Sequence, residues 1–160
     1  IDAPGALTGS HAEQLISECH AIVTPLQPSF FDIDSTKRFL KHIQEIKRIR
    51  KGKVDILLVA NRVKPNSASA KDIQQFFEKI EQQPLAWISE RSAYGQLAMQ
   101  GLSIFDKHQK NFVQIQMQWQ PLLDASTILR VSGDLRPSSL RLPVDANLRR
   151  HRQSHKLPRN

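Results

Sequence analysis

The sequence has little cysteine, little glycine and no long apolar run. Its single cysteine, Cys19, excludes an internal disulfide and a cysteine-based metal cluster, and favours a reducing, cytoplasmic compartment. No stretch reaches the about 18 apolar residues of a transmembrane helix, and no basic-then-apolar leader opens the chain. None of the six glycines belongs to a glycine-rich loop that precedes a Lys–Ser or Lys–Thr pair. The 160 residues suffice for one ordinary domain.

Positive charge is abundant and unevenly placed. The formal net charge is +8, to which residues 131–160 contribute seven Lys or Arg against two Asp. Such an excess favours polyanionic partners without specifying which ones. Residues 131–160 also contain Pro137, Pro143 and Pro158 and lack sustained periodicity, so we expect a basic, mostly disordered tail after a domain of residues 1–130.

Apolar periodicity predicts an alternation of strands and helices. The predicted helices cover 10–19, 35–51, 67–82, 92–100 and 108–129, and the predicted strands cover 20–26, 54–60 and 85–88. Ser10, and either Ser29 or Asp34, are the expected helix caps, and Pro25 is expected to end the first strand. The apolar run Ala21–Val23 predicts that this first strand is buried on both of its faces. The alternation predicts an α/β fold with a parallel sheet, and three strands are few enough that we expect further strands before residue 1.

Polar residues follow each apolar strand. The chain opens with Ile1-Asp2-Ala3-Pro4-Gly5, which is either a simple turn or a strand end whose carboxylate faces a ligand. The loop 61–66 follows the second strand, and Ser89-Glu90-Arg91 follows the third. Because ligands of open α/β sheets bind at the carboxyl ends of the strands, Asp2 would face a ligand if residues 1–5 end a parallel strand.

The helix predicted at 35–51 has a strongly basic face. Residues 35–53 contain eight basic side chains against one acid, Glu45. Either this is a solvated helix face, or it is a patch for non-specific DNA or a membrane edge. The basic residues considered for DNA are Lys37, Arg38, Lys41, Lys47, Arg48, Arg50 and Lys51, with Arg91 as a further candidate by position.

The order of these segments resembles the carboxyl-terminal part of ParA/MinD-type ATPases, the deviant Walker A (SIMIBI) class of P-loop proteins that position plasmids, chromosomes and other cargo. Residues 1–5 resemble the Walker B strand end of that family, D-x-P-G. Residues 20–29, with Pro25, Pro28 and Ser29, resemble its proline-containing segment, and residues 57–62 resemble its strand that ends in Asn-Arg. Residues 88–104, ISERSAYGQLAMQGLSI, resemble its last loop and short helix. The resemblance covers residues 1 to about 125 and implies a partial three-layer α/β/α sheet of the P-loop type.

The sequence departs from this family in one decisive place. The phosphate-binding loop KGGxGKT is absent from the 160 residues. In the family this loop lies upstream of the Walker B strand end, which residues 1–5 resemble. Without its backbone N–H groups and lysine, the β- and γ-phosphates have no cradle. We therefore expect this chain to be a fragment that does not hydrolyse ATP by itself, from a parent that does.

The resemblance also implies residue roles and partners. It assigns Asp2 to Mg²⁺, held through water, and Pro4 and Gly5 to a switch that senses the γ-phosphate of ATP. Asn61 would contact adenine or, alternatively, form a turn, and Arg62 would flank the base or be solvated. Ser89 and Glu90 would contact adenine through their backbone. The family further implies a nucleotide-dependent homodimer, non-specific DNA as a partner, a ParB-like activator and a nucleoid-associated location.

Two other functions remain open at the level of sequence. One is an ATP-dependent synthetase of the dethiobiotin or cobyrinate kind, whose extra substrate-binding residues are not found in this sequence. The other is a non-enzymatic, basic DNA-binding remnant. The upstream sequence would distinguish them, because a loop with two lysines favours the ParA type and a loop with one lysine favours the synthetase.

Overall fold

Three parallel strands form the centre of the fold. In the computed structural model, β1 (Ala21–Leu26), β2 (Asp55–Val63) and β3 (Ala86–Ser89) lie in the order β1-β2-β3. The register places Ala21 opposite Asp55 and Val59 opposite Ala86. Because parallel neighbours need a crossover, helices connect each pair of strands.

The structure describes residue 3 and residues 9–131, with side chains as far as residue 127. Asp2, Pro4 and Gly5, and residues 132–160 of the tail predicted to be disordered, lie outside the described residues. The helices are α1 (Gly9–Glu18), α2 (Phe30–Ile43), α3 (Lys47–Arg50), α4 (Ala68–Lys79), α5 (Ser92–Ala98), α6 (Lys110–Gln116) and α7 (Gln120–Val131). Two 3₁₀ segments, Ile104–Asp106 and Met117–Trp119, lie among them.

Helices cover both faces of β2, the central strand of the described sheet. Ile56, Leu58 and Ala60 point to one side, where they pack in a cluster with residues of α1, α2 and α4. Val59 points to the other side and packs with β3 residues, Trp119 and residues of α5 and α7. Burial on both faces requires the continuous apolar run that β2 has. The predicted α/β fold with a parallel sheet between helices is therefore confirmed.

Strand β1 differs from its prediction in burial and in its end. Val23 is 47% exposed, so β1 is not buried on both faces as its apolar run predicted. Pro25 lies inside the strand, opposite Val59, and does not end it. Pro25 is accommodated because β1 lies at an edge of the described sheet, where a strand tolerates a residue without an N–H. Val23 is exposed because the cluster on its side of the sheet packs Trp119 and Leu122 against β2 and β3 and includes no residue of β1.

The single helix predicted at 35–51 is divided into α2 and α3. The N–H groups of Glu45 and Ile46 donate to carbonyls three residues back, and Ile46 then takes up an extended backbone. Ile43 and Ile46 are both buried at this turn, with 0% and 8% of their surface exposed. Burial of both side chains thus accompanies the end of the helix, which the basic residues on either side do not signal.

Other predicted boundaries are met or moved by small amounts. Ser29 does cap α2, since its Oγ accepts from the Asp32 N–H at 3.2 Å. Ser10 lies inside α1 and so does not precede it as a cap. The helix predicted at 108–129 is interrupted by Met117–Trp119, and Leu123, predicted to face inward, is 42% exposed.

Candidate functional site

The carboxyl end of β2 carries a bulge next to β3. Ala60 lies opposite Trp87, and the next paired residues are Val63 and Ser89. Three steps along β2 therefore match two steps along β3, which leaves one extra residue within Asn61–Arg62. The strand continues through Val63, so Asn61 and Arg62 belong to the strand end and not to the predicted loop.

Arg62 has an unusual backbone conformation at this bulge. Its φ is 54°, in the left-handed region that side chains other than glycine seldom adopt. The Arg62 N–H donates to the side-chain Oδ1 of Asn61 at 3.0 Å, which holds the amide of Asn61 against the strand end. Strained residues of this kind concentrate at ligand sites, where the surrounding structure maintains them.

Glu90, directly after β3, connects the two strand ends. Its N–H donates to the carbonyl of Val63 at 3.0 Å. Its carboxylate forms ion pairs with two side chains: Oε1 lies 2.9 Å from Arg62 Nη2, and Oε2 lies 3.3 Å from Lys64 Nζ. The hydrogen bond from Arg62, followed by that from Lys64, lowers the pKa of Glu90 below its ordinary value. The carboxylate is thus held between two cations at the edge of the sheet.

The lowered pKa of Glu90 predicts a pH-dependent contribution to stability. Because the folded pKa lies below the unfolded one, the stabilisation is present above the unfolded pKa and is lost as pH falls through the folded pKa. We expect Glu90→Gln to lower the unfolding temperature slightly at pH 7 and to differ less from the wild type at about pH 3, below the usual Glu range. Thermal unfolding at both pH values measures this. Glu13→Gln, on the exposed face of α1, is the control. An equal loss at both pH values would contradict the assignment.

Ser89, the last residue of β3, is buried and held from a distant part of the chain. Only 7% of its surface is exposed. Both its N–H and its Oγ donate to Oε1 of Gln118, at 2.9 and 3.0 Å. Arg91 Nε in turn donates to Ser89 Oγ at 3.2 Å. Since the N–H groups of Ser89 and Glu90 are both used within the protein, a backbone contact from these residues to a base would have to use their carbonyl oxygens.

The structure brings several of the predicted site residues together. Asn61, Arg62, Ser89, Glu90 and Arg91 all lie at the carboxyl ends of β2 and β3. Sequence reasoning missed two residues of this edge, Lys64 and Gln118. The alternation of strand residues could have found Lys64, two positions after Arg62. No local signal pointed to Gln118, which lies 29 residues after Ser89.

Of the basic residues proposed for DNA, Arg91 lies at the strand ends described above, and the seven within residues 37–51 divide into two groups. In the first group, the side chains already have partners within the protein. Lys37 Nζ lies 5.9 Å from the centre of the Phe76 ring, Arg38 pairs with Asp34 at 2.9 Å, and the half-buried Arg48 donates to the carbonyl of Cys19 at 3.4 Å. Arg48 therefore connects α3 to the end of α1 and is not part of a freely solvated face.

The second group is exposed. It consists of Lys41, Lys47, Arg50 and Lys51, and within the described residues none of these four forms an ion pair with a carboxylate. They occupy the end of α2, the short helix α3 and the turn that follows it. Lys37 and Arg38 of the first group are exposed as well, so only the half-buried Arg48 is removed from the exposed basic surface that the sequence predicted.

Comparison with known proteins gives one informative similarity. The chain is 26% identical over 106 residues to the Maintenance of carboxysome distribution protein A of Halothiobacillus neapolitanus. The matched region is 66% of this chain and 49% of that protein, so the chain spans about half the length of this curated relative. No family model matches the chain. Among residues 9–131, the structure contains no helix with the length and apolar character needed to cross a membrane.

Proposed function

We propose that this chain is part of a ParA/MinD-type ATPase that positions cargo, and that the carboxyl ends of β2 and β3 hold the base of its nucleotide. The observation that carries the proposal is the juxtaposition of Asn61, Arg62, Ser89 and Glu90. The family resemblance named these residues from two segments far apart in sequence, and in the folded chain Arg62 and Glu90 are in contact at 2.9 Å.

The described residues fit the base end of a nucleotide. Asn61 carries a donor and an acceptor on one planar amide, which suits the edge of a nucleobase. The bulge and the left-handed Arg62 fix that amide at the open edge of the sheet. The backbone carbonyls of Ser89 and Glu90 are acceptors that would suit an exocyclic amino group.

The phosphate end of the nucleotide would need residues outside this sequence. No glycine-rich loop occurs in the 160 residues, so the phosphates of ATP would be held by an upstream segment of the full-length protein. Asp2 would bind Mg²⁺ through water there, and Pro4 and Gly5 would form the switch turn. Bound ATP would supply the γ-phosphoryl group that such a protein transfers to water, with ADP as the leaving group, and homodimerisation would accompany this hydrolysis.

The positioning role is supported by the comparison. The relative's name describes the maintenance of carboxysome distribution, which is a cargo-positioning activity of that protein. For the present protein we propose the same general class, with non-specific DNA as the surface along which cargo is placed and a ParB-like protein as a candidate activator. The exposed cations Lys41, Lys47, Arg50 and Lys51 are the candidate DNA contacts.

Removing the amide of Asn61 tests the proposed base site. In the full-length protein we expect Asn61→Ala to weaken ATP binding, because a lost hydrogen bond to a buried polar group costs about 1–3 kcal/mol, or roughly 5- to 150-fold in Kd. The preference for ATP over GTP should fall with it. Titration of both nucleotides into the protein gives these constants.

The matched control is Asn111→Ala, an exposed asparagine on α6 away from the two strand ends. We expect this control to bind ATP like the wild type. Unchanged ATP affinity and unchanged base preference in Asn61→Ala would exclude Asn61 from the site, and no ATP binding by the wild type would exclude the proposed function.

A further inference from the structure

The last helical stretch of the described chain is interrupted at the level of the candidate site. Residues 110–131 run as α6, then the 3₁₀ segment Met117–Trp119, then α7. A 3₁₀ stretch in the middle of a helix often marks a functional adjustment or a local strain. Two consecutive side chains of this segment, those of Gln118 and Trp119, make hydrogen bonds around the loop that follows β3.

Gln118 contacts the beginning of this loop. Its Oε1 is the shared acceptor for the N–H and the hydroxyl of Ser89. Ser89 lies on β3, an edge strand of the described sheet, so its N–H is one of the groups that an edge leaves without a strand partner. Because Ser89 is 7% exposed, that N–H also has little access to water. A single amide oxygen therefore satisfies two donors that would otherwise be buried without an acceptor.

Trp119 contacts the helix that follows the loop. Its Nε1 donates to the hydroxyl of Tyr94 on α5 at 2.9 Å, and the two rings meet edge to face with centroids 6.3 Å apart. The 3₁₀ segment thus contacts Ser89, the first residue of the loop Ser89–Arg91, and Tyr94 on the helix that follows the loop. Between these two anchors lie Glu90, which pairs with Arg62, and Arg91, which donates to Ser89.

We propose that Gln118 is a positioning residue for the loop Ser89–Arg91, and that its side-chain oxygen sets the base preference of the site by fixing the carbonyls of that loop. The second half of this proposal rests on the proposed nucleotide-binding function. Gln118 acts through Ser89 and not by contact with the base. The loop therefore depends on a residue 29 positions away, at the break in the last helix.

The chemistry of this contact allows a specific set of variants. Gln118→Met keeps the length of the side chain but replaces the amide oxygen by a thioether, which is a weak acceptor. Gln118→Glu keeps an oxygen acceptor in the same place. Gln116→Met is the matched control, because Gln116 lies on the same helical stretch, is also partly buried, and donates to the carbonyls of Ile104 and Lys107 at 2.7 Å.

The first measurement is the binding of Mg-ATP and Mg-GTP to the four full-length proteins. For Gln118→Met we expect ATP to bind about 10-fold more weakly, which corresponds to the loss of roughly one hydrogen bond, and we expect a smaller ratio of ATP affinity to GTP affinity. Gln118→Glu should keep the affinity ratio of the wild type. Gln116→Met should lower the unfolding temperature and leave the ratio unchanged. An unchanged ratio in Gln118→Met, or an equal change in Gln116→Met, would overturn the proposal.

The second measurement does not depend on nucleotide binding. Amide hydrogen exchange of residues 89–91 in the nucleotide-free proteins should be faster in Gln118→Met, and close to the wild type in Gln118→Glu and Gln116→Met. If the wild type binds neither nucleotide, the proposed function fails, and the exchange result alone decides whether Gln118 positions the loop. Equal exchange in Gln118→Met and the wild type would overturn that role in either case.

Discussion

Replacement of Phe77 by Ala is expected to lower the free energy of unfolding by about 3–5 kcal/mol. Phe77 on α4 is 1% exposed and belongs to the core cluster between the sheet and α1, α2 and α4. Its ring lies 5.4 Å from that of Phe76 and 5.7 Å from that of Trp87. The substitution therefore removes buried apolar surface and two aromatic contacts, and it leaves a cavity that the surrounding strands can fill only in part.

Urea denaturation of the full-length protein, monitored by circular dichroism, measures this change in the free energy of unfolding. Phe31→Ala is the matched control, because Phe31 is the same residue type with 80% of its surface exposed. We expect the control to change stability by less than about 0.5 kcal/mol. Similar losses for the two variants would mean that Phe77 does not lie in the core described above.

Replacement of the four exposed cations is expected to have the largest effect on DNA binding. Lys41, Lys47, Arg50 and Lys51 are exposed and, within the described residues, form no ion pair with a carboxylate, whereas the exposed Lys37 and Arg38 and the half-buried Arg48 each contact a partner within the protein. We assume that each exposed cation neutralises one phosphate. The slope of the log of the DNA association constant against the log of the salt concentration is then less steep by about 3 to 4 in the quadruple alanine variant. At physiological salt this change corresponds to a roughly 100- to 1,000-fold loss of affinity for DNA.

The measurement is the binding of the full-length protein to random-sequence duplex DNA at several salt concentrations. The matched control replaces Lys71, Lys79, Lys107 and Lys110 by alanine, which removes the same charge from other elements. The control should bind more weakly than the wild type by a much smaller factor. Equal losses in the two quadruple variants would show that net charge, and no local surface, controls binding, and a flat salt response of the wild type would exclude the DNA-binding proposal.

The sequence by itself determined the fold class and most of the candidate edge. The continuous run Ile56–Ala60 is long enough, and apolar enough, to predict a strand buried on both faces. Alternation of such strands with amphipathic helices leaves a parallel sheet as the expected arrangement. The resemblance of residues 57–62 and 88–104 to two segments of one nucleotide site named Asn61 and Glu90 as candidates, and the carboxyl ends of neighbouring parallel strands do lie at one edge of a sheet. These features depend on neighbours along the chain, which periodicity records.

Only the tertiary structure decided which of these residues have partners, and where the helices break. The turn between α2 and α3 accompanies the burial of Ile43 and Ile46, and the basic residues around it give no sign of it. The exposure of Val23 depends on the position of β1 in the sheet, and the engagement of Arg48 depends on the end of α1. Ser89 is held by Gln118 across 29 residues. Contacts of this kind are set by packing between elements distant in sequence, and periodicity within one element carries no information about them.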